Sequence, residues 1–139
     1  MTAASLSTLE TRVRYPEVDR MGLAYHGSFL VWFEMGRTEY LRSRGQTYRE
    51  LEERGLFFPL VEAACRYHHP ARYDELVTVH TTGEVLSAVR VAFDYKITRQ
   101  ADTRLLATGR TVHAAVGAAG RPVRMPAALW RALEQGEPV

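Results

Sequence analysis

Lysine is nearly missing from this chain: Lys96 is the only one, and every other cation among its 18 basic residues is arginine. The 16 acidic residues almost balance them, leaving a net charge of +2. Basic residues form no run. A nucleic-acid surface needs a basic stripe interleaved with exposed aromatics, so no nucleic-acid partner is expected. An anionic small ligand suits the arginine excess better, because a guanidinium holds a phosphate with two hydrogen bonds. Cysteine is equally scarce. Cys65 stands alone, which excludes an intrachain disulfide and a zinc site built from several thiolates. Five histidines are present, yet none falls in an HExxH or comparable spacing, so no metal is expected. The first residues lack the basic start and long apolar run of a signal peptide, and no stretch reaches membrane-spanning length. A soluble cytoplasmic protein without membrane contact is expected. Internal repeats and low-complexity tracts are absent as well.

What is present suffices for a packed core. Of 139 residues, 46% are hydrophobic and 24% charged, the size and balance of one domain spanning residues 1–139. Residues 1–7 are small and polar and are expected to be loose. Residues 8–15 read as a strand with Leu9, Thr11, Val13 and Tyr15 on one face, ended by Pro16. A loop with Gly22 and Gly27 follows.

Residues 28–44 carry the clearest helical pattern. Phe29, Trp32, Phe33, Gly36 and Tyr40 form one apolar stripe. Glu34–Arg37 and Glu39–Arg42 are spaced as ion pairs, Ser28 suits the N-cap and Gly45 the C′ position. Gly36 costs about 1 kcal/mol in a helix interior, which implies a closely packed surface facing it. A short helix over 47–54 has Thr47 and Glu50 as its capping box. From Phe57 the period becomes two. Val61, Ala63, Cys65 and Tyr67 alternate with polar or small residues until Pro70. A strand over 76–85 follows, then Val89, Val91, Phe93, Tyr95 and Ile97 alternate in the next, and the last runs over about 104–116. Breaks near Leu86–Ser87 and Gln100–Asp102 join these three as hairpins. A terminal helix over 126–134 has Pro near its start. Consecutive strands joined by tight turns, with one long helix, make an α+β domain whose antiparallel sheet is covered by that helix.

One segment carries candidate chemistry. Asp19 lies in a Gly-containing turn, a polar stretch follows, and the long helix begins. An Asp three residues before a Gly is ordinarily an Asx-turn residue. The same order also places a carboxylate close to the unpaired N–H groups of a helix N-terminus, a plausible apparatus for acyl chemistry.

The stretch YPEVDRMGLAYHGSFLVWFEMGRTEYLR resembles the hotdog-fold acyl-CoA thioesterases of the 4-hydroxybenzoyl-CoA thioesterase/YbgC-like branch. So do FPLVEAACRYHHPARYDELVTVHTTGEVLSAVRVAFDYKITR and LLATGRTVHAAVGAAGRPVRMP, and the likeness covers about residues 9–126. It implies a curved five-stranded antiparallel sheet wrapped around one long helix. It also implies a homodimer with sheets joined edge to edge and the active sites at that interface, often paired again into a tetramer. Thioester hydrolysis of an acyl- or aroyl-coenzyme A is the implied reaction. Coenzyme A enters as part of the substrate, and no separate cofactor is implied.

Asp19 falls on the family's catalytic acid, as general base or nucleophile. Tyr25 and His26 fall on the segment whose backbone N–H polarises the thioester carbonyl. The family often has Asn-Tyr where this chain has Ser28-Phe29. Tyr25, Gly27, Ser28 and Arg90 are expected to bind substrate, Arg90 at the coenzyme A phosphates. Arg66, Arg72, Arg121 and Arg124 are further phosphate candidates. Glu34, on the helix, is a second possible acid whose ordinary role is the pair with Arg37. Cys65 reads as inert core. Asp19 of one subunit is expected opposite the His26-end N–H groups of the other subunit's helix. The alternative is a non-catalytic acyl-CoA-binding protein of the same fold.

Overall fold

The computed structural model describes residues 6–135. Strand β1 (Leu6–Arg12) leads to a 3-10 turn (Tyr15–Glu17), and then come helices α1 (His26–Ser43) and α2 (Tyr48–Glu53). Strands β2 (Leu60–Tyr67), β3 (Leu76–Ser87), β4 (Arg90–Arg99) and β5 (Leu105–Ala114) follow, and α3 (Ala127–Gln135) closes the order. The strands form one antiparallel sheet in the order β1-β3-β4-β5-β2. It is the α+β, five-stranded architecture that the sequence implied.

The helix and the sheet share one core. Trp32, Phe33 and Tyr40 of α1 are wholly buried, facing Val77, Val79, Phe93, Tyr95 and Ile97 of β3 and β4. Phe33 stacks on Tyr95 with ring centroids 4.3 Å apart. Each such side chain contributes about 1.5–3 kcal/mol by leaving water. Gly36 is where α1 lies closest to the sheet. A Cβ there would come within 2.5 Å of Thr81 Oγ1 and 2.8 Å of Val79 Cγ1. The close-packed surface expected opposite this glycine is therefore β3.

α1 ends as its sequence predicts. Gly45 has φ 78°. Its N–H donates to the Arg42 carbonyl at 3.1 Å, and Gln46 N–H donates to Leu41 at 2.9 Å, a Schellman motif. Thr47 caps α2 by accepting from Glu50 N–H at 3.1 Å.

Several expectations need correction. Leu6 and Ser7 belong to β1, paired with Thr82 and Thr81, and are not loose; residues 1–5 lie outside the described region. Tyr15 leaves the strand, because the 3-10 turn around Pro16 begins there, and it is 78% exposed. The β3–β4 turn falls at Ala88–Val89, two residues later than expected. β2 is the largest difference. Its alternation suggested a buried face, but it is an edge strand with Val61, Ala63 and Tyr67 exposed and only Cys65 half-buried. Glu39–Arg42 pairs at 2.6 Å. Glu34 and Arg37, by contrast, form no ion pair among the described residues.

Candidate active site

The loop before α1 is built around Asp19. Its N–H donates to the Leu23 carbonyl at 2.8 Å, and Gly22 N–H donates back to the Asp19 carbonyl at 3.0 Å. Gly22 turns the chain with φ 76°, a region that side chains resist. Asp19 Oδ1 accepts from Met21 N–H at 2.8 Å and from Leu23 N–H at 3.3 Å. This is the Asx turn that local pattern suggests. It occupies one carboxylate oxygen. Oδ2 has no partner in the described residues, and the side chain is exposed.

The helix start is held from below by Glu17, which the sequence reading did not single out. The Glu17 carbonyl accepts from Tyr25 N–H and from the Ser28 hydroxyl, each at 2.8 Å. Its carboxylate accepts from Arg14 N–H at 2.8 Å, the Arg14 guanidinium at 3.3 Å and the Trp32 indole at 3.0 Å. Burial alone would raise its pKa. The donors from Arg14 and Trp32 outweigh burial and hold it below the ordinary value.

These bonds move the helix start. α1 begins at His26, three residues before the start that Ser28 as N-cap would give. Tyr25 is the N-cap and offers no side-chain bond to the helix. Ser28 is instead the third helical residue, buried, with its N–H on the Tyr25 carbonyl at 2.9 Å. Among the described residues nothing accepts from the N–H groups of His26 or Gly27. They are the orphan donors at the positive end of the helix.

Asp19 and His26 line one cleft of about 300 Å³, with Leu23, Phe29, Tyr67 and His68 among its walls. Within one chain the two residues already share this cleft. Tyr25 stands outside, 53% exposed, its ring 4.0 Å from the His26 ring. Arg90 is exposed at the start of β4 and does not line the cleft. Glu34 lines a different groove beside Leu9 and Met35. Among the described residues no three His, Cys, Asp or Glu side chains are arranged to hold a metal.

Sequence reading gave no site role to two further residues of the cleft. Tyr67 donates its hydroxyl to the His26 carbonyl at 2.8 Å and meets Phe29 edge to face at 5.1 Å. His69, on the wall, bonds the Leu105 carbonyl through Nδ1 at 3.1 Å, so Nδ1 carries the proton. Its Nε2 then accepts from Arg104 at 2.5 Å. The first signal for this group was the His-His-Pro run at the end of β2, which reads as a strand exit and nothing more. Cys65 on β2 has its thiol pKa pushed up by desolvation, with Tyr67 opposing, as fits an unreactive thiol.

The thioesterase-like superfamily model matches residues 13–133. The chain belongs to the thioesterase-like superfamily. It is 37% identical over 92 residues to the Bacillus subtilis protein YneP, provisionally named an acyl-CoA thioesterase, covering 66% of this chain and 67% of that one. The fold matches a DHNA-CoA thioesterase of Staphylococcus aureus with a TM-score of 0.81 and 32% identity, over 86% of this chain and 80% of that one. It also matches a 1,4-dihydroxy-2-naphthoyl-CoA thioesterase of Synechocystis with a TM-score of 0.87, over 93% and 96% of the chains. That second likeness, at 24% identity, concerns the fold alone. No described helix is long and apolar enough to cross a membrane.

Proposed function

We propose that this superfamily member hydrolyses the thioester of an acyl- or aroyl-coenzyme A to the free acid and coenzyme A. One observation carries the reading. Asp19, with one carboxylate oxygen free of partners among the described residues, lines the same cleft as His26 at the unpaired N–H end of α1. The substrate carbonyl points its oxygen at the His26 and Gly27 N–H groups, which gain strength as the oxygen becomes anionic. One such donor is worth about 3–4 kcal/mol in the transition state.

Asp19 acts in one of two ways. As general base it takes a proton from water, whose oxygen attacks the carbonyl carbon. As nucleophile it attacks directly and forms a mixed anhydride that water then opens. In both routes the tetrahedral oxyanion collapses, the C–S bond breaks, and the coenzyme A thiolate leaves and is protonated. The groups named belong to the chain itself, and the route calls on no added cofactor. Phe29 and Tyr67 give the cleft an aromatic wall that suits an aroyl group. The Staphylococcus relative, a DHNA-CoA thioesterase, supports the same class. Arg72, whose backbone pairs with Leu23, and Arg104, beside His69, flank the cleft as phosphate holders. Residues 1–139 are taken as one domain, working in the cytoplasm as a homo-oligomer paired through its β2 edges.

The test is release of free thiol from a panel of aromatic, short-chain and long-chain acyl-CoAs. Turnover of at least one aromatic member is expected. Silence across the panel with retained acyl-CoA binding would instead favour a non-catalytic acyl-CoA-binding protein.

A further inference from the structure

The hydrogen bond from Tyr67 to the His26 carbonyl bears on the helix end in a particular way. The His26 carbonyl and the Gly27 N–H are two ends of one peptide group. Whatever fixes the carbonyl oxygen fixes the direction of that N–H. The Tyr67 hydroxyl reaches the carbonyl oxygen from the last residue of β2, 2.8 Å away. Helical geometry already takes one lone pair of this oxygen, and Tyr67 fills the other. A peptide that accepts at its carbonyl is polarised and donates more strongly at its nitrogen. The bond also ties α1 to the edge strand 41 residues away, across the cleft that Asp19 lines.

We propose that Tyr67 is a positioning residue for the reaction, aiming and strengthening the Gly27 N–H toward the developing oxyanion. The inference rests on the thioesterase reading above. Two further observations support it. Phe29 packs edge to face on the Tyr67 ring, so the side chain is held where the bond needs it. The phenol pKa is pushed up to about 12, by desolvation first and then by Cys65 and Tyr25, so the hydroxyl keeps its proton throughout the neutral and mildly alkaline range. Tyr67 touches neither the attacking group nor the departing sulfur in this account. Its effect passes through the peptide.

Tyr67→Phe keeps the ring and its Phe29 contact and removes only the hydroxyl. With the best acyl-CoA of the panel, kcat is expected to fall about tenfold, a fraction of what a whole oxyanion donor contributes. KM is expected to stay within about twofold, because the ground-state carbonyl asks little of the donor. A second readout separates positioning from mere loss of structure. The carbonyl stretch of a 13C-labelled benzoyl-CoA bound to Asp19→Asn is expected at lower frequency than in water. Adding Tyr67→Phe should return part of that shift. A wild-type kcat together with an unmoved carbonyl stretch overturns the inference. A rise in KM with kcat intact overturns it too, since that pattern assigns Tyr67 to uniform binding. Failure of the thioesterase reading is separate, because it shows as an inactive wild type before any variant is made.

Discussion

At the residue scale, Asp19 is a turn residue whose carboxylate keeps one oxygen without a partner among the described residues. Its Oδ1 builds the loop, and the residue lines the cleft that His26 also lines. Local pattern identified the turn, and only the resemblance supplied the chemistry. Glu17 was illegible in the sequence for a physical reason. Its importance comes from a 3-10 turn that aims it at an indole 15 residues away, a contact with no local signature.

His113, buried on β5, has an environment that makes a pH prediction. Nδ1–H donates to the Phe58 carbonyl at 3.2 Å, and Nε2 accepts from the Thr111 hydroxyl at 3.0 Å. Thr111 in turn accepts from Tyr95 at 2.6 Å. Desolvation, then the Arg37 charge, lowers the His113 pKa to about 4, against the pull of the Phe58 carbonyl. Between that value and 6.5 the unfolded chain binds the proton and the folded chain does not. Stability is therefore complete above pH 6.5 and declines as pH falls toward 4, by about 3 kcal/mol at the limit. Denaturant unfolding at steps across this window should show the slope in wild type and a flatter one in His113→Gln. Equal slopes would assign the acid sensitivity elsewhere.

Elements were legible where one periodicity governed them. The stripe on α1 and the alternation of β4 rest on burial across one shared core, the Gly45 stop rests on a left-handed turn, and the structure repeats all three. The start of α1 was misread because Ser28 is a good cap by type, whereas the Glu17 carbonyl draws its hydroxyl inward and frees the preceding turn. β2 was misread because alternation is equally compatible with a core face and with a strand left at the edge. Gly36 offers a test at this scale. Gly36→Ala would gain about 1 kcal/mol of helix propensity. The new methyl meets Thr81 and Val79, short branched side chains that cannot swing away. Overpacking of this kind costs about 1–3 kcal/mol. A net loss of stability is expected, read as a lower Tm, and a higher Tm would show that α1 can lift from the sheet without penalty.

For the whole molecule, the sheet order places β2 at the far edge from β1, beside the helix start and the Asp19 cleft. Leu60, Val61 and Tyr67 on that edge are exposed, as are Leu30 and Val31 on α1. An open apolar edge is a template for strand pairing, which favours a second copy of the chain there. Sedimentation at assay concentration should return a dimer or its multiple. A fully active monomer would contradict the paired-edge assembly while leaving the cleft chemistry intact.

The central claim is that Asp19 does chemistry beyond holding its turn. Asp19→Asn preserves the acceptor oxygen that Met21 and Leu23 use and removes the negative charge. With the best acyl-CoA of the panel and a melting curve matching wild type, kcat should fall by about a hundredfold or more. A folded Asp19→Asn that releases thiol at the wild-type rate would contradict the account.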